Sequence, residues 1–109
     1  MDFEIGKPDD VDCASRLKVL ADRTRLAVVE ALLGGPRHVH ELIDLLDVEQ
    51  SLLSHHLRVL RDAALVEALR DGKSMRYQLA PGVEMSPEQK GIDLGCCALS
   101  FANGEATHS

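Results

Sequence analysis

A mainly α chain with one small β-hairpin is predicted here, and three observations carry the prediction. Apolar residues recur at helical spacing from Val11 to Ala64. Gly34-Gly35-Pro36 and Asp47-Val48-Glu49 cut that stretch into short helices. Two short runs, Leu65–Leu69 and Met75–Leu79, flank Asp71-Gly72-Lys73, the composition of a hairpin turn.

The elements follow in order. Residues 1–8 read as a flexible arm. Asp9 and Asp10 are placed to cap a first helix running to about Ala21, with acids at its positive end. Leu17 and Leu20 give it an apolar edge. Asp22 starts a second helix that buries Leu26, Val29, Leu32 and Leu33 before Gly34-Gly35-Pro36 stops it. Val39, Leu42, Ile43, Leu45 and Leu46 mark a third helix, from about Val39 to Leu46.

Gln50 to Val66 is the most informative stretch. Leu53, Leu57, Leu60 and Ala64 form one helical stripe, widened by Leu52, Val59 and Ala63. The opposite face carries Ser51, Ser54, His55, Arg58 and Arg61, with no carboxylate before Asp62. Helix, tight turn and helix here make a helix-turn-helix, whose second helix enters the DNA major groove. The hairpin after it is the expected wing, with Arg70, Lys73 and Arg76 clustered near its tip.

Charge distribution supports that reading. The chain has 109 residues and a net charge of −6. Ser51 to Ala80 nevertheless holds five Arg/Lys against three acids, and the rest holds seven against fifteen. A slightly basic module sits on an acidic body, which limits non-specific DNA binding. Aromatic residues are few (Phe3, Tyr77 and Phe101), so Leu, Val, Ile and Ala must build the core. No signal peptide or spanning apolar stretch is present, and three cysteines without an export signal imply reduced thiols in a cytoplasmic protein. No phosphate loop, nucleophile motif or paired catalytic acids appear, so the chain is not expected to be an enzyme.

LADRTRLAVVEALL followed by HVHELIDLLDVEQSLLSHHLRVLRDAALVEALRDGKSMRYQL resembles the ArsR/SmtB family of winged-helix repressors, over about Leu17 to Leu79. The SxxSHHLxxLRxAxLV pattern before a charged hairpin is specific. The resemblance implies a dimeric winged helix-turn-helix and a homodimer that represses transcription and leaves operator DNA when an inducer binds. The expected organisation is an arm (1–8), a DNA-binding domain (9–80) and a dimerisation and inducer-binding segment with a tail (81–109). Gln50, Ser51, Ser54, His55 and Arg58, with Arg70, Lys73 and Arg76 of the wing, are the candidate contacts to double-stranded DNA.

Family metal positions are informative by their absence. One type places cysteines in the third helix, where this chain has Glu41-Leu42-Ile43-Asp44-Leu45. Another uses an Asp/His pair and a later His/Glu pair on a C-terminal helix, and after Pro81 the one histidine of this chain is His108, in the tail. Relatives place a long dimerising helix after the wing. Pro81, Gly82, Pro87 and Gly91 allow at most a short one, near Ser86 to Lys90, before an extended segment from Ile92 to Phe101.

Cys13, Cys96 and Cys97 remain as the candidate ligands. Three thiolates suit a soft ion, and trivalent arsenic and antimony favour three sulfurs. In similar repressors the first helix and the C-terminal segment lie together, which would bring Cys13 to the vicinal pair. Neighbours in a regular strand point to opposite faces, so sharing one ion requires a turn or bulge, which Gly95 permits. His55 and His56 point about 100° apart on a helix and make a poor joint metal site. His56 is the better helix-packing residue. His38 and His40 straddle the start of the third helix without local thiols. The rival readings are a redox or persulfide sensor, a cadmium or zinc sensor, and a winged-helix module that binds protein.

Overall fold

The computed structural model describes residues 8–86 and 88–101. Residues 1–7 of the expected arm, and the tail with His108, lie outside the described residues. Four helices run in order: α1 (Pro8–Leu20), α2 (Arg23–Leu32), α3 (Val39–Leu46) and α4 (Gln50–Asp62). Pro8 opens α1, so Asp9 and Asp10 fall inside its first turn rather than ahead of it. Proline suits that position because its missing N–H has no helical partner there anyway. Asp22 caps α2, its side chain accepting from the Arg25 backbone N–H at 3.0 Å.

The turn between α3 and α4 starts at Asp47, which sits in the left-handed region at φ 54° while its N–H returns to the Ile43 carbonyl. A short polar residue tolerates that conformation better than most. A second left-handed residue, Ala64 at φ 62°, ends α4. It lets the Leu65 N–H close on the Leu60 carbonyl at 3.0 Å, and the chain turns directly into the wing.

The wing is β2 (Val66–Asp71) and β3 (Ser74–Leu79), antiparallel with Val66 opposite Leu79 and Asp71 opposite Ser74. Only Gly72 and Lys73 separate the strands. A two-residue strand absent from the sequence reading, β1 (Arg37–His38), pairs with the other edge of β3, in the order β1-β3-β2. The result is a winged helix-turn-helix.

After the wing no helix forms among the described residues near Ser86 to Lys90, only a turn with the Gln89 N–H on the Ser86 carbonyl. The extended segment is itself a hairpin, β4 (Gly91–Asp93) and β5 (Ala98–Ser100). A Cβ on Gly91 would run into the Leu99 carbonyl oxygen, so the strands approach this closely only because the residue is glycine. Backbone bonds from Met85 to Gly91 and from Asp93 to Val83 fasten β4 to the chain just after the wing.

One apolar core unites these parts. Leu53, Leu57 and Leu60 of α4 are buried with Val28, Val29 and Leu32 of α2, Leu42 of α3, and Leu65 and Val66. Val83, Ile92 and Leu94 belong to the same cluster, so the C-terminal hairpin is packed on the helix-turn-helix and is not a tethered appendage. Three leucines of the expected stripes, Leu17, Leu45 and Leu52, are instead exposed. The stripes they widen are broader than the surfaces their helices cover.

Candidate DNA-reading face and thiol site

Helix α4 presents two unlike faces. Leu53, His56, Leu57 and Leu60 are buried, whereas Gln50, Ser51, Ser54, His55 and Arg58 are all exposed. Two hydroxyls, an amide, an imidazole and a guanidinium therefore line one solvated surface, with hydrogen-bonding capacity for base edges and phosphates.

His56 points the other way, as expected for a packing residue. Arg25 Nη1 donates to its Nδ1 at 3.2 Å, and Arg25 Nε donates to the Val19 carbonyl at 2.6 Å. A guanidinium is only a donor, so Nδ1 must accept and the ring is neutral. Burial pushes the His56 pKa down, helped by the Arg25 and His55 charges and opposed by Asp22.

Arg70 and Lys73 are exposed on the wing, Arg70 in register with Met75. Arg76 lies further from the tip than the sequence suggested. It sits half-buried on the central strand, opposite both His38 and Leu69, with its Nε buried and unpartnered among the described residues. The tip is tied back to the start of α3: His38 Nε2 lies 2.8 Å from Asp71 Oδ2, and the His38 backbone N–H donates to Glu41 Oε1 at 2.7 Å. The latter bond holds the Glu41 carboxyl below its usual range. His38 and His40 stack 5.5 Å apart, and His38 is occupied with carboxylates rather than with a thiol.

The three cysteines come together. Cys13, on α1, is half-buried, and Cys96 and Cys97 are exposed in the β4–β5 turn. All three Sγ atoms lie within 4.8 Å of one another. Cys96 and Cys97 face the same side, their Sγ atoms 3.7 Å apart, because they sit in a turn and not in a strand. Gly95, at φ 96°, provides the left-handed step. Asp93 Oδ1 accepts from the Gly95 N–H at 2.8 Å, and the Leu94 N–H donates to the Cys97 carbonyl at 2.8 Å. Asp93 was absent from the sequence reading, although Asp two residues ahead of Gly is the signature of such a turn.

The Cys13 and Cys96 sulfurs are in contact, with Cα atoms 6.2 Å apart, and Cys97 is free. That backbone separation suits a disulfide. Thiolates about 2.3 Å from a shared soft ion lie roughly 4 Å from one another, so the spacing of the three cysteines also suits joint ligation. A second residue missed in the sequence is Arg16, whose guanidinium reaches both the Ala63 and the Leu94 carbonyls.

Comparison with known proteins agrees with this architecture. Residues 22–68 match the family described as bacterial regulatory protein, arsR family. Over 64 residues the chain is 44% identical to the HTH-type transcriptional repressor SmtB of Mycobacterium tuberculosis, covering 59% of this chain and 47% of that protein. It is 39% identical over 67 residues to the arsenical resistance operon repressor of Escherichia coli K12, covering 61% and 57%. The structure of HlyU from Vibrio cholerae superposes with a TM-score of 0.65 at 31% identity, covering 68% of this chain and 80% of that one. The chain spans about half the length of the curated relatives it matches. The family match excludes all three cysteines, so the thiol site rests on its own geometry. No helix among the described residues is long and apolar enough to cross a membrane. With a buried apolar helix-turn-helix, a wing on its edge and relatives that are transcriptional regulators, this chain belongs to the ArsR/SmtB family.

Proposed function

We propose that the chain is a cytoplasmic, homodimeric transcriptional repressor, released from operator DNA by trivalent arsenic or antimony. The convergence of Cys13, Cys96 and Cys97 within 4.8 Å carries the inducer reading. Three sulfurs at one point are a soft donor set with no competing carboxylate or imidazole among them. The exposed face of α4, with Gln50, Ser51, Ser54, His55 and Arg58, reads the major groove, and Arg70, Lys73 and Arg76 on the wing contact the backbone or minor groove.

Capture of the ion requires Cys13 and Cys96 as thiols. As each arsenic–sulfur or antimony–sulfur bond forms, a hydroxide of the trivalent oxyacid takes the thiol proton and leaves as water, and the three sulfurs draw α1 and the β4–β5 turn to one point. Release follows if the ion binds the DNA-incompetent state more tightly. DNA must then weaken ion binding by the same factor.

The contact between the Cys13 and Cys96 sulfurs, on backbones 6.2 Å apart, favours one second reading, a thiol redox sensor. There a peroxide takes two electrons and two protons from the two thiols, leaving the disulfide and water. Titrating the reduced protein on its promoter DNA with arsenite, antimonite, cadmium, zinc and peroxide separates the readings. Release at the lowest concentration by arsenite or antimonite supports the proposal. Release by peroxide alone supports the redox reading, and release by cadmium or zinc alone assigns a different ion.

A further inference from the structure

Arg16 lies three positions after Cys13 on α1, so the two share a helix face. Its side chain is half-buried and forked between two distant carbonyls. Nε donates to Ala63 O at 3.2 Å, and Nη1 donates to Leu94 O at 3.3 Å. Ala63 is the C-cap of the recognition helix α4. Leu94 opens the turn that presents Cys96 and Cys97, and its own N–H is bonded to the Cys97 carbonyl. One guanidinium therefore joins the helix of the first thiol, the turn of the other two and the end of the DNA-reading helix.

The chemistry suits a mechanical link. The last carbonyls of a helix have no intrahelical donor and carry the negative end of its dipole, so a cation there is favourable. A guanidinium is planar with a rigid fork of donors, and its two bonds cannot shift independently. The group lies against a cleft also lined by Ala64, Ala80, Val83, Asp93 and Gly95.

Resting on the inducer reading above, we infer that Arg16 is the positioning residue that couples thiol-site occupancy to the recognition helix. Closing the three sulfurs on an ion sets the relative position of α1 and the turn. Arg16 carries that position to the Ala63 carbonyl and so to the end of α4. The binding surfaces for ion and DNA contain no part of Arg16, so its loss should remove the coupling and leave both affinities.

The test uses full-length reduced protein and the variants Arg16→Gln and Arg16→Lys. Operator Kd is measured with and without saturating arsenite, and arsenite binding is followed separately by the ultraviolet absorbance of the arsenic–thiolate bonds. Wild type should show a coupling factor in the range of about 5- to 150-fold. In Arg16→Gln the factor should fall to within about twofold of unity, with operator and arsenite affinities near wild type. Arg16→Lys, which keeps the charge but loses the fork, should recover part of the factor. It carries the test if Arg16→Gln does not fold. An unchanged factor in either folded variant overturns the link, and so does loss of arsenite binding itself, which would make Arg16 part of the thiol site. If wild type binds operator but ignores arsenite, the inducer reading fails first, and the link fails with it.

Discussion

Arg25 reaches from the first turn of α2 to His56 on the rear of α4, its Nη1 donating to the imidazole Nδ1 at 3.2 Å. The bond requires a neutral ring, and burial lowers the His56 pKa from its ordinary 6.5. The folded state therefore resists a proton that the unfolded chain accepts. Stability should fall as pH drops below 6.5, and the loss should be complete below the folded pKa. Thermal melts at about pH 7.5 and about pH 5.5 should show a drop in Tm that shrinks in His56→Asn, which keeps an acceptor without titrating. An equal drop in both proteins would place the acid sensitivity elsewhere.

Arg58 is exposed on the polar face of α4 and has no packing role. If it reads a base, Arg58→Ala should weaken specific operator binding by about 1–3 kcal/mol. Its Tm should stay close to wild type. Unchanged affinity in the folded variant would remove Arg58 from the reading set.

Lys73 occupies the exposed two-residue turn of the wing. A mobile point charge there should contact phosphate, so Lys73→Gln should weaken binding to many sequences alike. The slope of log Kd against log salt should become shallower by about one unit. A loss confined to one operator sequence would show that the wing reads bases. Arg76, half-buried on β3, should give a mixed effect on stability and binding because its Nε is already inside the fold.

Much of this fold is legible in the sequence, for a physical reason. Leu53, Leu57 and Leu60 are at most 1% exposed, and a stripe buried that completely leaves a strong period. Other features depend on partners far along the chain. Arg37-His38 is too short to show alternation and becomes a strand only by pairing with Tyr77 and Arg76. Arg16 is one cation among many until Ala63 and Leu94 come within reach. The thiol site was readable as a donor set, but not its backbone. Only the turn at Gly95 brings Cys96 and Cys97 to one side.

Ala64 is held at φ 62°, where a Cβ is strained. Ala64→Gly should relieve that strain, offset by the greater freedom of glycine in the unfolded chain. A net gain of about 0.5–1 kcal/mol is expected by denaturant unfolding. A loss would mean that the Ala64 methyl group contributes packing worth more than the strain.

The central claim is that the vicinal thiols of the β4–β5 turn are the switch. The most direct measurement is fluorescence anisotropy of labelled operator DNA with reduced wild type and the Cys96→Ser/Cys97→Ser double variant, titrated with arsenite. Both proteins should bind the operator alike, because neither cysteine lies on the reading face. Arsenite should release wild type and leave the double variant bound, since a hydroxyl is a much poorer ligand for a soft ion. Release of the double variant at the same arsenite concentration as wild type would contradict the account.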